Sequence, residues 1–288
     1  MTILVTGGSG FIGSHVVDKL IEAGHRVRVL DIRPPRYRGD VDFVEGNITS
    51  RKDIQRSLVG VDIVYHIAAF SDINLVKANP LLTIQDNIMG TAYLLEECRQ
   101  RSVKRFILAS SYYVPGRRGH LYTTAKLASE RLCQDYHTLY SLPYTVLRYG
   151  TAYGPRSRGD DVIASFVGQA LRGENLLVYG SGQQERNFIY VEDLARGNVA
   201  ALKSVAENRT YTLASEQAVS IKGLAEIVRH IFDDRISLEY RPSREEDYQG
   251  EILDWSKSNR ELCWEPRVGL EEGIRRYIEW YRNPIKTP

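Results

Sequence analysis

Cysteine is scarce. Only Cys98, Cys133 and Cys263 occur in 288 residues. They are odd in number, far apart and without metal-ligand spacing. That argues against a disulfide framework or a cysteine-held metal, and free thiols in a reducing compartment, the cytoplasm, are expected. No apolar run approaches the ~18 residues of a membrane span, so no membrane partner is expected. Residues 2–6 read as a strand and not as a signal peptide. Like-charged blocks are missing too: 38 Lys and Arg face 36 Asp and Glu, for a net charge of +2. No nucleic-acid partner is therefore expected. The one small cluster, Arg99, Arg101, Lys104 and Arg105, reads as a solvated helix end. Internal repeats and low-complexity segments are absent. What remains is a chain with 43% hydrophobic and 26% charged residues, ordinary for a globular protein. Its length favours about two lobes. Arginine outnumbers lysine 29 to 9. That suits recognition of phosphate or carboxylate, although surface preference explains most of the excess.

The amino end carries the clearest pattern. Ile3, Leu4 and Val5 form a short apolar strand that runs into Gly7-Gly8-Ser9-Gly10-Phe11-Ile12-Gly13. A helix is predicted over 14–23, with Gly24 as its stop. Gly7, Gly10 and Gly13 allow a tight turn, close approach of backbone to a pyrophosphate and close helix–strand packing. A second strand, 26–30, ends at Asp31, where an acid can bind the adenosine ribose 2′-hydroxyl. A carboxylate there repels a 2′-phosphate and so favours NAD over NADP. Arg33 and Arg36 keep NADP open as a minor option.

Further units follow. Strands are predicted at 41–44 and 61–65, a helix at 50–58 capped by Ser50, and a long helix at 81–101. Alternation with short links implies an α/β fold: a Rossmann-type doubly wound parallel sheet with its site at the strand carboxyl ends. His66 reads as a packed histidine with no catalytic role.

At the centre of the chain, a buried strand over 103–109 leads into Ser110-Ser111. The helix 121–140 then has apolar residues at a helical spacing. Tyr122 and Lys126 are four apart and share a face of it. An ammonium near a phenol favours the tyrosinate, so the pair could exchange a proton with a substrate hydroxyl. Ser111 could hold the same oxygen. With 18 Tyr and 9 Lys, chance alone gives roughly 0.6 Tyr-x-x-x-Lys pairs. The pair gains its meaning from the rest of the chain.

These segments together resemble an extended short-chain dehydrogenase/reductase of the NAD-dependent epimerase/dehydratase family, in its nucleotide-sugar branch. The carrying residues are Thr6 to Gly13, Asp31, Asn47-Ile48, His66-Ile67-Ala68-Ala69, Asn87, Ser110-Ser111 and Tyr122-Thr123-Thr124-Ala125-Lys126. The resemblance extends over nearly the whole chain. Tyr149-Gly150-Thr151-Ala152-Tyr153-Gly154-Pro155-Arg156 is similar to the family's Leu-Arg-x-x-Asn-x-Tyr-Gly-Pro-Arg segment, with Thr151 where an Asn touches substrate phosphate.

The resemblance implies a role for each position. Gly7, Gly10, Phe11, Ile12, Gly13 and Asp31 hold NAD, Asn47 and Ile48 meet the adenine, and Ala68, Ala69 and Asn87 lie at the nicotinamide side. Ser111 is the hydroxyl partner and Tyr122 the proton carrier. Lys126 binds the nicotinamide ribose and tunes Tyr122. Thr151, Arg186 and Arg244 contact the sugar nucleotide, with Ser111 and Tyr122. No metal is expected. A dinucleotide lobe over 1–150 with about 184–212, and a smaller carboxyl-terminal substrate-binding α/β lobe over 151–183 and 213–288, follow by the same likeness. So does a homodimer through a four-helix bundle of helices 81–101 and 121–140.

The residues after Ser111 narrow the reaction. The family's 4,6-dehydratases carry an Asp-Glu pair there, its decarboxylases a Glu, and its 3,5-epimerising reductases need a nearby Cys. This chain has Tyr112 and Tyr113. The resemblance then implies a UDP-linked nucleotide-sugar 4-epimerase with retained NAD. A nucleotide-4-keto-sugar reductase using NADH or NADPH, and a non-catalytic dinucleotide sensor, are the alternatives. The short loop 115–120 implies an open sugar pocket with relaxed specificity.

Overall fold

The computed structural model describes residues 1–115, 120–215, 217–233, 235–243 and 254–283, with the backbone alone at 73 and 74. A seven-stranded sheet organises the first lobe. Its strands are β1 (Thr2–Thr6), β2 (Arg26–Asp31), β3 (Asp42–Glu45), β4 (Ile63–His66), β5 (Arg105–Ser111), β6 (Tyr144–Tyr149) and, from far along the chain, β11 (Arg209–Leu213). The order is β11-β6-β5-β4-β1-β2-β3, and every pairing is parallel. The order reverses beside β1, which is the switch point of a doubly wound sheet.

Strand periodicity divides the apolar residues between two faces. Ile3, Val5, Ile63, Tyr65, Ile107, Ala109 and Leu147 pack on one side. Leu4, Val64, Phe106, Leu108 and Val146 pack on the other. The first face meets α1 (Phe11–Glu22) and α8 (Val191–Ala200) through Val16, Val17, Leu20, Leu194 and Ala195. The second meets α2 (Arg51–Ser57), α5 (Gly90–Gln100) and α6 (Leu121–Tyr140) through Ile54, Leu94, Leu95 and Cys133. Burial on both faces is why these strands are near-continuous apolar runs.

The second lobe has its own core. It is built from β7 (Thr151–Tyr153), α7 (Val162–Leu171), β8 (Leu176–Tyr179), β10 (Phe188–Tyr190), α9 (Ile221–Ile231), β13 (Leu238–Arg241) and α11 (Leu270–Arg282). Small pairings tie it together: β7 with β10, β8 with β13, and β9 (Glu185–Arg186) with β12 (Val219–Ser220). One stretch crosses the expected boundary. The helix α10 (Ser256–Leu262) and the following Trp264 pack with the first lobe. Trp264 Nε1 donates to Asp193 O at 3.0 Å and Lys257 Nζ to Thr210 O at 3.0 Å.

Two other expectations change. The predicted helix 81–101 is three pieces: α4 (Pro80–Ile84), a π-turn at Gln85–Met89, and α5, with α3 (Ile73–Ala78) ahead of them. And Arg105 is no solvated helix end. It is buried, its guanidinium donating to Ala201 O, Leu202 O, Lys203 O and the Glu207 carboxylate. Its β5 position turns it inward, where it fastens the sheet edge to the segment after α8.

Candidate active site

Parallel strands in register bring their carboxyl ends to one edge. Thr6 pairs with His66, and Ser111 with Tyr149. The segments that leave this edge are the glycine turn, 67–70, 112–115 and 150–156.

The glycine turn fits an anion. Gly7 has φ +72°, and a Cβ there would come within 2.7 Å of Ala68 N. A Cβ on Gly13 would lie 2.0 Å from Gly7 O. Neither position admits a side chain, and the turn stays narrow against α1. The first turn of α1 holds no acidic residue, so its free N–H groups favour negative charge. The buried Ser9 hydroxyl has no hydrogen-bond partner among the described residues. An orphaned buried donor calls for a ligand, and a phosphate oxygen satisfies it. Asp31, at the end of β2, accepts from Ser9 N at 3.1 Å and Arg33 N at 3.2 Å. Burial raises its pKa, while these N–H groups oppose the rise. Carboxylate and glycine turn are thus tied together, and their donors and acceptor suit the phosphates and ribose of a dinucleotide. Gly10 precedes α1 as its cap. Phe11 and Ile12 begin that helix. Asn47 is exposed and its Oδ1 is taken by Thr49 N and Oγ1. Ile48 is buried against Gly90.

Asn87 sits on the π-turn and is buried. Its side chain pairs twice with the Phe70 backbone, accepting from N at 2.7 Å and donating to O at 2.9 Å. It therefore fixes the Ala68–Ala69 stretch next to the glycine turn. A second brace runs through His66. Thr91 Oγ1 donates to Asn87 O, so it must accept from His66 Nε2 at 3.0 Å. His66 Nδ1 then accepts from Thr6 Oγ1 at 2.8 Å, and that hydroxyl oxygen accepts from Ala68 N. Every donor has one acceptor only if the imidazole is neutral. Burial and the Lys126 charge agree, holding its pKa down at about 3.

Ser111 is buried at the end of β5, its Oγ accepting from Tyr113 N at 3.3 Å. Tyr122 and Lys126 open α6 one turn apart, with Lys126 Nζ 5.7 Å from the Tyr122 ring centroid. Lys126 is buried and donates to Ala109 O at 2.8 Å. In the protein by itself burial, and not the Lys126 charge, governs the phenol. Burial pushes the Tyr122 phenol well above its ordinary pKa, Tyr113 adds to the rise and Arg158 opposes it. The ammonium is anchored to a carbonyl over the ring instead of bonding the phenol. Burial also lowers Lys126 to about 8, while Glu130 supports its charge.

Glu130 was missed from the sequence, although it continues the Tyr122, Lys126 stripe by one more helical turn. Its buried carboxylate accepts from Ser110 Oγ at 2.5 Å and from Arg148 Nε and Nη2 at 2.9 and 2.6 Å. It joins α6 to β5 and β6 near the strand ends that carry Ser111 and Tyr149. Tyr112 is also buried. Its Oη accepts from Thr151 Oγ1 at 3.3 Å, and its ring packs at a tilt against Tyr113 with centroids 4.2 Å apart. Tyr113 in turn meets His120, and His120 meets Tyr122. An aromatic wall therefore runs from Thr151 to Tyr122. Arg186 lies close enough to bear on the Tyr112 phenol. Arg244 lies outside the described residues, as does most of the loop 115–120. Among the described residues no cluster of His, Cys, Asp or Glu could hold a metal.

Residues 3–214 match the model of the NAD dependent epimerase/dehydratase family. A Thermotoga maritima UDP-glucose 4-epimerase, solved with UDP-glucose, superposes with a TM-score of 0.93. It is 32% identical, covering 99% of this chain and 100% of its own. A Bacillus cereus UDP-glucuronic acid 4-epimerase, solved with UDP-glucuronic acid and NAD, gives a TM-score of 0.90 at 27% identity, over 99% and 100% of the two chains. The UDP-glucuronic acid decarboxylase 1 of Arabidopsis thaliana is 32% identical over 99% of this chain and 71% of its own.

Proposed function

The chain belongs to the NAD-dependent epimerase/dehydratase family, and from that premise we propose that it is a UDP-hexose 4-epimerase with a tightly held NAD. The observation that carries this reading is the surround of Tyr122. Tyr112 and Tyr113 stand where relatives that dehydrate or decarboxylate carry an acid. Their rings pack into the wall beside the proton carrier. A buried phenol and a partly buried one can shape a sugar pocket but cannot protonate a leaving hydroxyl as a carboxylic acid does. Transfer at C4 is the chemistry left.

Gly7 to Gly13 and Asp31 would hold the pyrophosphate and adenosine ribose, and Ala68, Ala69, Asn87 and Lys126 the nicotinamide end. When bound, NAD supplies a reversible hydride acceptor and, in its oxidised form, a positive charge that favours tyrosinate. Tyr122 would take the proton of the sugar 4-hydroxyl as C4 is oxidised and return it to the carbonyl oxygen as C4 is reduced again from its opposite face. Ser111 holds the same oxygen in line. Lys126, anchored on Ala109 O, keeps a charge beside the ring. Thr151 and Arg186, with Arg244, take the sugar nucleotide. The planar guanidinium suits a diphosphate.

A homodimer is part of this proposal. Leu81, Ile84 and Met89 on the α4–α5 run, and Leu127 on α6, are exposed apolar residues. Both segments are the ones expected to pair. No helix of the described residues is long and apolar enough to cross a membrane. Three free cysteines suit a reducing compartment, the cytoplasm.

The test is incubation with UDP-, dTDP-, GDP- and CDP-sugars, reading product configuration by NMR and absorbance at 340 nm. Inversion at C4 without net absorbance change is expected. Loss of CO2, or stoichiometric use of NADH, would overturn the assignment. Tyr122→Phe should slow the conversion by about 100- to 10,000-fold.

A further inference from the structure

The segment that follows Asp31 is closed by a group of side chains with no part in the proton-transfer chemistry. Residues 32–41 leave the ribose-binding end of β2 and return as β3. Within them Tyr37 and Arg38 reach α1 and the loop after β7. Arg156, in that loop, donates through Nη1 to Asp18 Oδ2 at 2.8 Å. Its guanidinium also lies over the Tyr37 ring, 4.4 Å from the centroid. Arg38 approaches the other Asp18 oxygen at 3.4 Å and grips Asp40 with two nitrogens at 2.8 and 2.7 Å. One turn earlier on α1, His15 Nε2 lies 3.0 Å from Pro155 O. That imidazole is held neutral, at about 4, by burial and by the Arg156 charge, so its N–H donates to the carbonyl.

Three features set this cluster apart from a surface ion pair. The Arg156 and Asp18 side chains are only 18% and 16% exposed. Arg156 has φ +67°, a left-handed conformation unfavourable for an arginine that its contacts must hold. And it joins distant parts: Tyr153, three residues earlier, lies in the second lobe's core, while His15 and Asp18 sit on the helix that begins at the glycine turn.

We propose that Arg156 is a positioning residue that latches the 32–40 segment over the adenosine end of the dinucleotide groove, so that the cofactor leaves only when the Arg156–Asp18 and Arg156–Tyr37 contacts part. An enzyme that reuses one cofactor needs such retention. Anchoring the bolt in the substrate lobe makes cofactor escape depend on the two lobes staying together. The latch presupposes a dinucleotide at the glycine turn, as proposed above, but no particular sugar or reaction.

The experiment loads the full-length protein with NADH and follows its displacement by excess NAD through the fluorescence decay. Arg156→Ala should release NADH on the order of 10- to 100-fold faster, the scale of one or two charge-assisted hydrogen bonds. Arg156→Lys, with the charge but without the planar stack, should fall between. Tyr37→Ala, which leaves the Arg156–Asp18 pair in place, should also speed release, by less than Arg156→Ala. Wild-type release rates in both Arg156→Ala and Tyr37→Ala would overturn the latch and leave the functional reading intact. A wild-type protein that binds no dinucleotide would overturn both.

Discussion

Tyr122 and Lys126 share a helical turn, yet their side chains do not meet head to head. Lys126 Nζ is fixed on Ala109 O, with the phenol ring beside it. Burial makes both charged forms costly, lifting Tyr122 and lowering Lys126. The consequence for pH is definite. The ammonium is lost as pH rises through about 8, so the rate should decline above that pH. Lys126→Arg, charged throughout, should move the decline to higher pH in a rate–pH profile. An unmoved decline would assign it to another group. Stability changes in the opposite sense. Between about 8 and the ordinary 10.5 the unfolded chain binds the extra proton. This group's contribution to stability therefore rises with pH across that window. Glu130 limits the effect by supporting the charge, and Arg148 in turn neutralises Glu130.

Elements matter where they are irregular. A continuous helix over 81–101 would give every residue a regular i→i+4 partner. The π-turn at Gln85–Met89 instead lets Asn87 face the 67–70 segment, which leaves the sheet edge beside the glycine turn. Such single-turn bulges often mark functional positions. Asn87→Ala removes both hydrogen bonds to Phe70 and leaves two backbone groups without their partner. It should destabilise the fold by about 1–3 kcal/mol, seen as a lower thermal midpoint, and weaken NAD binding by calorimetry. If the midpoint falls and NAD binding does not, the residue is a scaffold only. The helix α6 is irregular in another way: one face carries Tyr122, Lys126 and Glu130 inward, while Leu127 is 43% exposed on the other.

On the scale of the molecule, that outer face joins a larger one. Leu81 is 80% exposed and Leu127 43%, with Ile84 and Met89 beside them along the chain. Lone surface leucines need no explanation, but several along α4, the π-turn and α6 are what the proposed second copy would cover. A second copy covering it would show as twice the 32.8 kDa chain mass in light scattering. Leu81→Glu with Leu127→Glu should return the mass to one chain without unfolding it. A wild-type monomer would refute the dimer.

The sequence by itself determined the sheet, because strand and helix periods, glycine stops and short links are local properties of the chain. It also determined the dinucleotide turn: Gly7 and Gly13 are required by contacts within a few residues of themselves or with the adjacent strand end. Ser111, Tyr122 and Lys126 can be proposed together from sequence because two lie on one helix turn and the third ends the preceding strand. Only the tertiary structure decided what depends on groups far apart in the chain. The direction of the Tyr122 and Lys126 shifts comes from burial, which no spacing reports. The burial of Arg105, the return of α10 and Trp264 to the first lobe, and the meeting of Asp18, Tyr37 and Arg156 each join residues tens of positions apart. Free energies of desolvation and close packing belong to the assembled molecule, and they are set only when its elements come together.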